Sequence, residues 1–434
     1  MDKMADVLGR AGAWCGQNKY LSAIKNAFQN FMPLTIAGAI GVLWCNVLVN
    51  DQTGLGLFFK PIMALDFLNP AFQAVNFCTI SCITVGITLG IAQEIGVWNM
   101  GAERAGYIPG LVGLAAWLSV TNTSHMVDGA KEAFTGVAGN ELGATGLFTG
   151  MIIGVLSVEL FCFFEKQDAL KIKMPEQVPP GVARAFEVLV PATITLIITA
   201  CIGSACYNLT GLYLNDVIKN GVQGPLGAVG ATVPGVMIIY LVIMLFWLVG
   251  IHGNNMLSAV KEALFTPLAL ENVEAFNKGE TPKNIINMYF LQMCGEFGGS
   301  GVTIGLVIAI MIFGKREDNK AIASLSLVPG LFNINETVTF GIPMVLNPIL
   351  GIPFVFACLV TILVGYVLTV IGFCPVACLT VPWTTPPLVF GFLATGANIM
   401  GAVTQAILIV VSTVIYTPFL IAYEKYQNKQ AAEV

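Results

Sequence analysis

Leu327–Pro348 reads LVPGLFNINETVTFGIPMVLNP. Its centre, Asn333-Ile334-Asn335-Glu336-Thr337, is a short polar island with apolar sequence on both sides. A carboxylate in such a setting is costly unless it faces protein, water or a ligand. Pro329, Gly330, Gly341, Pro343 and Pro348 argue against one straight helix. The stretch therefore reads as broken or re-entrant backbone that carries polar groups near membrane depth, the place where transporters hold substrate. A second island, Gly250-Ile251-His252-Gly253-Asn254-Asn255, has the same character.

The rest of the composition agrees with a membrane setting. The chain has 434 residues, 56% hydrophobic and only 10% charged, where a soluble globular chain carries roughly 25% charge. The apolar runs are long and continuous, which excludes the alternating pattern of a β-barrel. The fold class is thus an all-α polytopic membrane protein. Net charge is −5 with no dense basic patch, so no nucleic-acid partner is expected. The 11 Cys sit mostly inside apolar runs, as small hydrophobes do. The two His are too few for a His-based metal site, and no metal or cofactor is expected.

Along the chain, residues 1–26 read as an amphipathic surface segment or a polar tail. Apolar spans follow near 28–48, 71–91, 107–120, 142–164, 186–207 and 231–248. Residues 165–184 form the clearest polar linker, with Lys166, Lys171, Lys173 and Arg184. The positive-inside rule places it in the cytoplasm, the four preceding spans put the N-terminus there too, and the tail Glu424-Lys-Tyr-Gln-Asn-Lys429 also reads as cytoplasmic. Residues 284–314 need an even number of crossings or a re-entrant hairpin, because basic loops flank them. Cys294-Gly-Glu-Phe-Gly-Gly-Ser-Gly301 supplies the break. Two long apolar tracts, 349–379 and 388–419, are split by Thr380-Val-Pro-Trp-Thr-Thr-Pro-Pro387. The total is about ten transmembrane helices plus irregular pieces. The N-terminal half is uniform and the C-terminal half broken. The organisation expected is a segment 1–26, a transmembrane domain 27–230 and a second one 231–434.

His252 and Glu336 are the residues suited to chemistry. An imidazole and a carboxylate can together orient and partly deprotonate a hydroxyl. The bland alternative for His252 is a bond to a neighbouring helix. Asn254, Asn255, Asn333 and Asn335 each offer a donor and an acceptor, which suits sugar hydroxyls. Trp247 and Trp383 can stack on the apolar face of a sugar ring, and Gly253 lets backbone approach a ligand. Glu296 reads chiefly as part of a turn. His125 reads as interfacial, and Glu159 and Glu187 as span-end residues without a special role.

The pieces PGLFNINETVTFGIPMVLNP, GIHGNN, MPEQVPPGVARAF, MPLTIAG and VPWTTPPLVFGF resemble the membrane-embedded IIC component of the bacterial phosphoenolpyruvate-dependent phosphotransferase system, lactose/cellobiose/diacetylchitobiose family. The resemblance implies a homodimer of ten-span protomers in the bacterial cell membrane, with dimerisation through the N-terminal domain. Two re-entrant hairpins in the C-terminal domain would hold the sugar. It implies that His252 and Glu336 lie near the 6-hydroxyl of a β-linked disaccharide, cellobiose or diacetylchitobiose ahead of lactose. Asn335, Trp383 and Trp247 are implied as further sugar contacts. It implies a phosphoryl group arriving on a cysteine of a separate IIB protein, itself charged by IIA. The family usually has Pro after this Glu, whereas Thr337 stands here. No Walker motif is present, which argues against a nucleotide-driven pump. The rival readings are an ion-coupled secondary sugar transporter, with Glu336 as the coupling site, and a sugar sensor without turnover.

Overall fold

The computed structural model describes all residues except 1–9, 11–12, 15–16, 52–55, 57, 126–133, 176 and 434. The amphipathic segment expected over 1–26 falls in part outside the described residues. The described chain is mainly helical, with one two-stranded ribbon pairing Ser124–His125 with Phe134–Thr135. It divides into two compact units: Gln17–Gly38 with Val75–Gly227, and Ala39–Ala74 with Ala228–Val434. Residues 39–74 thus group with the C-terminal half of the sequence.

Among the described residues, five helices are long and apolar enough to cross a membrane, or up to seven if each of two bent pairs is one span. The bends have local causes. Lys60–Ser81 and Ile83–Met100 meet at 42°, where a π-turn at Phe77–Ser81 interrupts the α-helical ladder. Met288–Val302 and Ile304–Phe313 meet at 59°, across the glycine-rich turn that the sequence marks as a break. Ile108–Val120 and Val233–Leu248 are apolar but shorter.

The N-terminal unit contains the start of α1 (Lys19–Leu43), then α2 (Ile83–Met100), α3 (Ile108–Val120), α4 (Ala144–Glu165) and α5 (Pro180–Thr210). These helices pack closely because small residues face one another, the usual solution where lipid removes the hydrophobic drive between helices. A methyl group on Gly113 of α3 would lie 2.3 Å from the Cβ of Ala92 of α2. Trp117 is fully buried among Ala116, Val120 and Ile153, so it is a packing residue. Thr195 and Thr199 return their hydroxyls to carbonyls four residues earlier, at 2.8 Å each. That satisfies polar groups where no water reaches.

One end of this unit collects the charges. Lys19 pairs with Glu159 at 2.6 Å. Glu165, nearly buried, accepts from both Arg104 and Arg184 at 2.9 Å, and Arg184 also reaches Glu187 at 2.8 Å. Glu159 and Glu187 thus tie helix ends together. The ends of α2, α4 and α5 are fixed by ion pairs where the chain leaves the apolar region.

The C-terminal unit contains α6 (Val233–Leu248), α7 (Ser258–Asn277), α8 (Met288–Gly295), α9 (Ile304–Phe313), α10 (Glu317–Leu331), α11 (Gly351–Val370) and α12 (Ile399–Glu433). Short helices at Gly253–Met256, Glu336–Gly341 and Val389–Ala394 lie between them. The joints are held by buried amides. Gln405 of α12 accepts from the N–H groups of Leu388 (2.8 Å) and Gly391 (2.7 Å) and donates to the Met293 carbonyl (3.0 Å). Asn287 caps α8, its Oδ1 accepting from Tyr289 and Phe290 N–H. Glu424 of α12 accepts from Lys315 N–H at 2.9 Å and from Asn319 at 3.1 Å, which anchors the start of α10. Alpha-10 then runs to the tip that carries Asn333–Glu336.

Candidate functional site

Each broken segment of the C-terminal unit contributes to one place. Alpha-6 ends at Leu248 because Gly250, at φ +84°, turns the chain back. His252 then begins a four-residue helix, its Nδ1 accepting from Asn255 N–H at 3.3 Å. Since Nδ1 is an acceptor, the neutral imidazole carries its proton on Nε2. That nitrogen lies 3.9 Å from Oε1 of Glu336. The first and second polar islands therefore meet. A backbone bond from Leu346 N–H to Leu248 O, 2.8 Å, holds the segments that bear them together.

Glu336 is the first residue of the helix Glu336–Gly341, and its side chain is 48% exposed. It is a carboxylate at a helix N-terminus, a favourable end for negative charge. Thr337 occupies the next position. A backbone N–H there has no acceptor within the helix, so Thr and Pro are equally compatible with it. The departure at Thr337 leaves the local hydrogen bonding intact.

Gly253 is buried against α6. A methyl group there would come within 2.0 Å of the Ile243 carbonyl oxygen. Backbone cannot yield that much, so G253A is expected to displace the His252 turn. The variant should lower the thermal midpoint in detergent, read by a thermal-shift assay. An unchanged midpoint would mean that the turn is not needed at this spacing.

The remaining candidates divide by exposure. Trp383 is 45% exposed, and its backbone carbonyl accepts from Asn333. Trp247 is 2% exposed, with its ring 4.4 Å from that of His252 and edge-on to Phe354. It backs the imidazole. Asn254 donates to Ser300 Oγ at 3.1 Å, and its buried Oδ1 has no donor among the described residues. Asn335 is buried and donates to the Ser300 carbonyl at 2.8 Å. Asn333, at φ +63°, joins the tip to two neighbouring segments. Ser300 sits in the turn Cys294–Gly301, which brings this third segment to the site. His125 is elsewhere, in the short ribbon, with its ring 5.4 Å from Phe134.

Glu296 has a stronger role than a turn residue. Its Oε1 accepts from Tyr240 Oη at 2.7 Å and is ion-paired with Lys261. Both side chains of the pair are largely buried, at 8% and 18% exposure. Lys261 and Tyr240 are the residues that sequence reasoning missed. Lys261 is one basic residue in a fairly apolar run, and that was the signal available. Among the described residues, no group of three or more His, Cys, Asp or Glu is placed to hold a metal ion.

Comparison with known proteins gives a consistent set of likenesses. The family model described as "Phosphotransferase system, EIIC" matches residues 25–358. The chain is 33% identical over 429 residues to the PTS system oligo-beta-mannoside-specific EIIC component of Bacillus subtilis (strain 168), covering 98% of this chain and 94% of that one. It is 29% identical over 486 residues to the PTS system cellobiose-specific EIIC component of Lactococcus lactis subsp. lactis (strain IL1403), covering 98% of each. The crystal structure of ChbC, the IIC component of the N,N'-diacetylchitobiose-specific phosphotransferase system, superposes with a TM-score of 0.88 at 30% identity, covering 97% of each chain.

Proposed function

We propose, since this chain belongs to the phosphotransferase system EIIC family, that it binds a β-linked disaccharide, moves it across the cell membrane and presents its 6-hydroxyl for phosphorylation. As an EIIC component the chain is an integral membrane part of a sugar phosphotransfer system that works with IIB and IIA proteins. Cellobiose or diacetylchitobiose is the proposed substrate, because relatives with those names cover nearly the whole chain. The observation that carries the reading is the His252–Glu336 pair, 3.9 Å apart and half exposed, with an exposed Trp383 on the loop that Asn333 bonds.

In this reading the indole of Trp383 stacks on a sugar ring, and the free Oδ1 of Asn254 accepts a hydroxyl. Asn335 and Gly253 shape the same wall, and Trp247 holds the imidazole in place. The 6-hydroxyl donates to the Glu336 carboxylate, while Nε2–H of His252 donates to the same sugar oxygen. As the oxygen attacks phosphorus, the O–P bond forms and the bond from phosphorus to the cysteine sulfur of IIB breaks. The hydroxyl proton passes to Glu336. Phosphoryl transfer asks the protein mostly for alignment and charge stabilisation, and two groups suffice for that when the donor comes on a partner. The phosphorylated product is charged and does not recross hydrocarbon easily.

The proposed architecture has ten spans and two re-entrant hairpins, with a dimerising domain 27–230 and a sugar-binding domain 231–434. The hairpins correspond to the breaks at 295–303 and 332–336. The linker rich in Lys and Arg, and both termini, lie in the cytoplasm by the positive-inside rule.

The test is sugar phosphorylation in reconstituted vesicles across a panel of β-disaccharides, with IIA, IIB and phosphoenolpyruvate supplied or withheld. Phosphorylated sugar is expected only with the complete set. Accumulation of unmodified sugar driven by an ion gradient would instead make Glu336 a coupling site.

A further inference from the structure

We infer that Asn333 is a positioning residue that fastens the Trp383 loop to the Glu336 tip, so that the stacking platform and the carboxylate act as one body. The inference rests on the reading above, and it concerns a residue that touches neither partner of the reaction. The Asn333 amide is fully used. Its Oδ1 accepts from Gly298 N–H at 2.6 Å. Its Nδ2 donates to the carbonyls of Trp383 at 2.5 Å and Thr385 at 3.0 Å. Turning the amide over would set nitrogen against an N–H and oxygen against two carbonyls, so the network fixes its orientation.

Three separate pieces of chain meet at this one side chain. Gly298 belongs to the turn that carries Ser300, Trp383 and Thr385 to the proline-rich loop, and Asn333 itself lies three residues before Glu336. None of the three is held there by a regular helix. The turn contains Gly298 at φ +68°, Leu388 at φ +72° directly follows the loop, and Asn333 is itself left-handed at φ +63°. Strained backbone of this kind persists only where the surroundings fix it. Asn is also among the few side-chain-bearing residues that accept that conformation. The residue type thus answers two demands at once: the backbone angle and the three-way bond.

Asn333 differs from its neighbour Asn335 in what it joins. The Asn335 side chain, among the described residues, bonds only to the Ser300 carbonyl, within the wall of the site. Asn333 alone, among the described residues, links the NINE tip to the Trp383 loop by a side chain. It sets the distance between the group that holds the ring and the group that takes the proton. A mismatch of about 1 Å at a reacting centre costs on the order of 100-fold in rate.

Two substitutions separate the parts of this role. Asn333→Asp keeps the acceptor for Gly298 N–H but turns both donated bonds into repulsions. Asn333→Gly keeps the left-handed backbone and removes all three bonds. Both are expected to raise KM for sugar phosphorylation at least tenfold, with purified protein remaining monodisperse in detergent. The decisive readout is a cycle with Trp383→Ala. If the bond acts through the loop, N333D/W383A has the KM of W383A alone within about twofold. Multiplying effects would mean that Asn333 acts elsewhere, and unchanged KM in N333G would remove the role altogether. If N333D fails to fold, the cycle is run with N333G. Wild-type chain that phosphorylates no β-disaccharide with the complete set would overturn the reading of the preceding subsection. Wild-type turnover with unaffected Asn333 variants overturns this inference alone.

Discussion

E336Q is expected to lower sugar phosphorylation by at least about 100-fold, the low end of what a positioned general base contributes, while the chain stays folded. Gln has nearly the shape of Glu but cannot accept a proton. Glu336 is half exposed, and its ion-pair partner among the described residues is His252 at 3.9 Å, so little structure depends on its charge. H252A should give a similar loss of rate with an added cost in stability, because Nδ1 of His252 also caps the helix Gly253–Met256. Loss of such a cap costs about 1 kcal/mol. The pair is therefore separable by experiment: both variants lose turnover in the vesicle assay, and only H252A lowers the thermal midpoint. Binding of unmodified sugar should fall less than turnover in E336Q, since the hydroxyl can still bond to an amide. Phosphorylation by E336Q at the wild-type rate would remove the carboxylate from the chemistry.

The second large effect concerns Lys261 and Glu296. Both are largely buried, and Tyr240 bonds to the same carboxylate oxygen as the lysine. Removing one member of a buried pair leaves an uncompensated charge and costs about 3–5 kcal/mol. K261M and E296Q should each show a loss of that size in denaturation of the detergent-solubilised protein. The double variant should recover much of it, because replacing a buried pair with groups of similar volume is often nearly neutral. A coupling free energy above about 2 kcal/mol in this cycle is the expected result. Additive losses would show that the two charges are solvated independently.

The fold class was legible because it rests on a bulk property. With 10% charge and 56% hydrophobic residues over 434 positions, the chain has too little polar surface for water, and with no alternating barrel pattern helices are what satisfy its backbone in lipid. The breaks were legible too. Gly and Pro act on their own backbone, so the turn at 295–303 and the tip at 332–336 fall where the sequence marks them. The meeting of His252 with Glu336 followed from a resemblance, and the geometry places them 3.9 Å apart.

Partner choice was not legible. Four asparagines near the site look alike in the sequence, yet Asn333 is bonded to backbone at both ends of its amide, while Asn254 keeps an oxygen without a donor. Trp247 and Trp383 look equally suited to stacking, yet one is buried behind His252 and the other is exposed. Lys261 stands in its run as an isolated charge and finds Glu296 only through the fold. Residues 39–74 lie in the N-terminal part of the sequence and belong to the C-terminal unit. By itself, then, the sequence determined the medium, the helices and where they break, since these depend on composition and local backbone freedom. The tertiary structure alone decided which polar groups bond to one another and which, among the described residues, have no partner in the protein. Hydrogen bonds and ion pairs act over about 3–4 Å, and only the folded chain brings residues 35 or 50 positions apart within that reach.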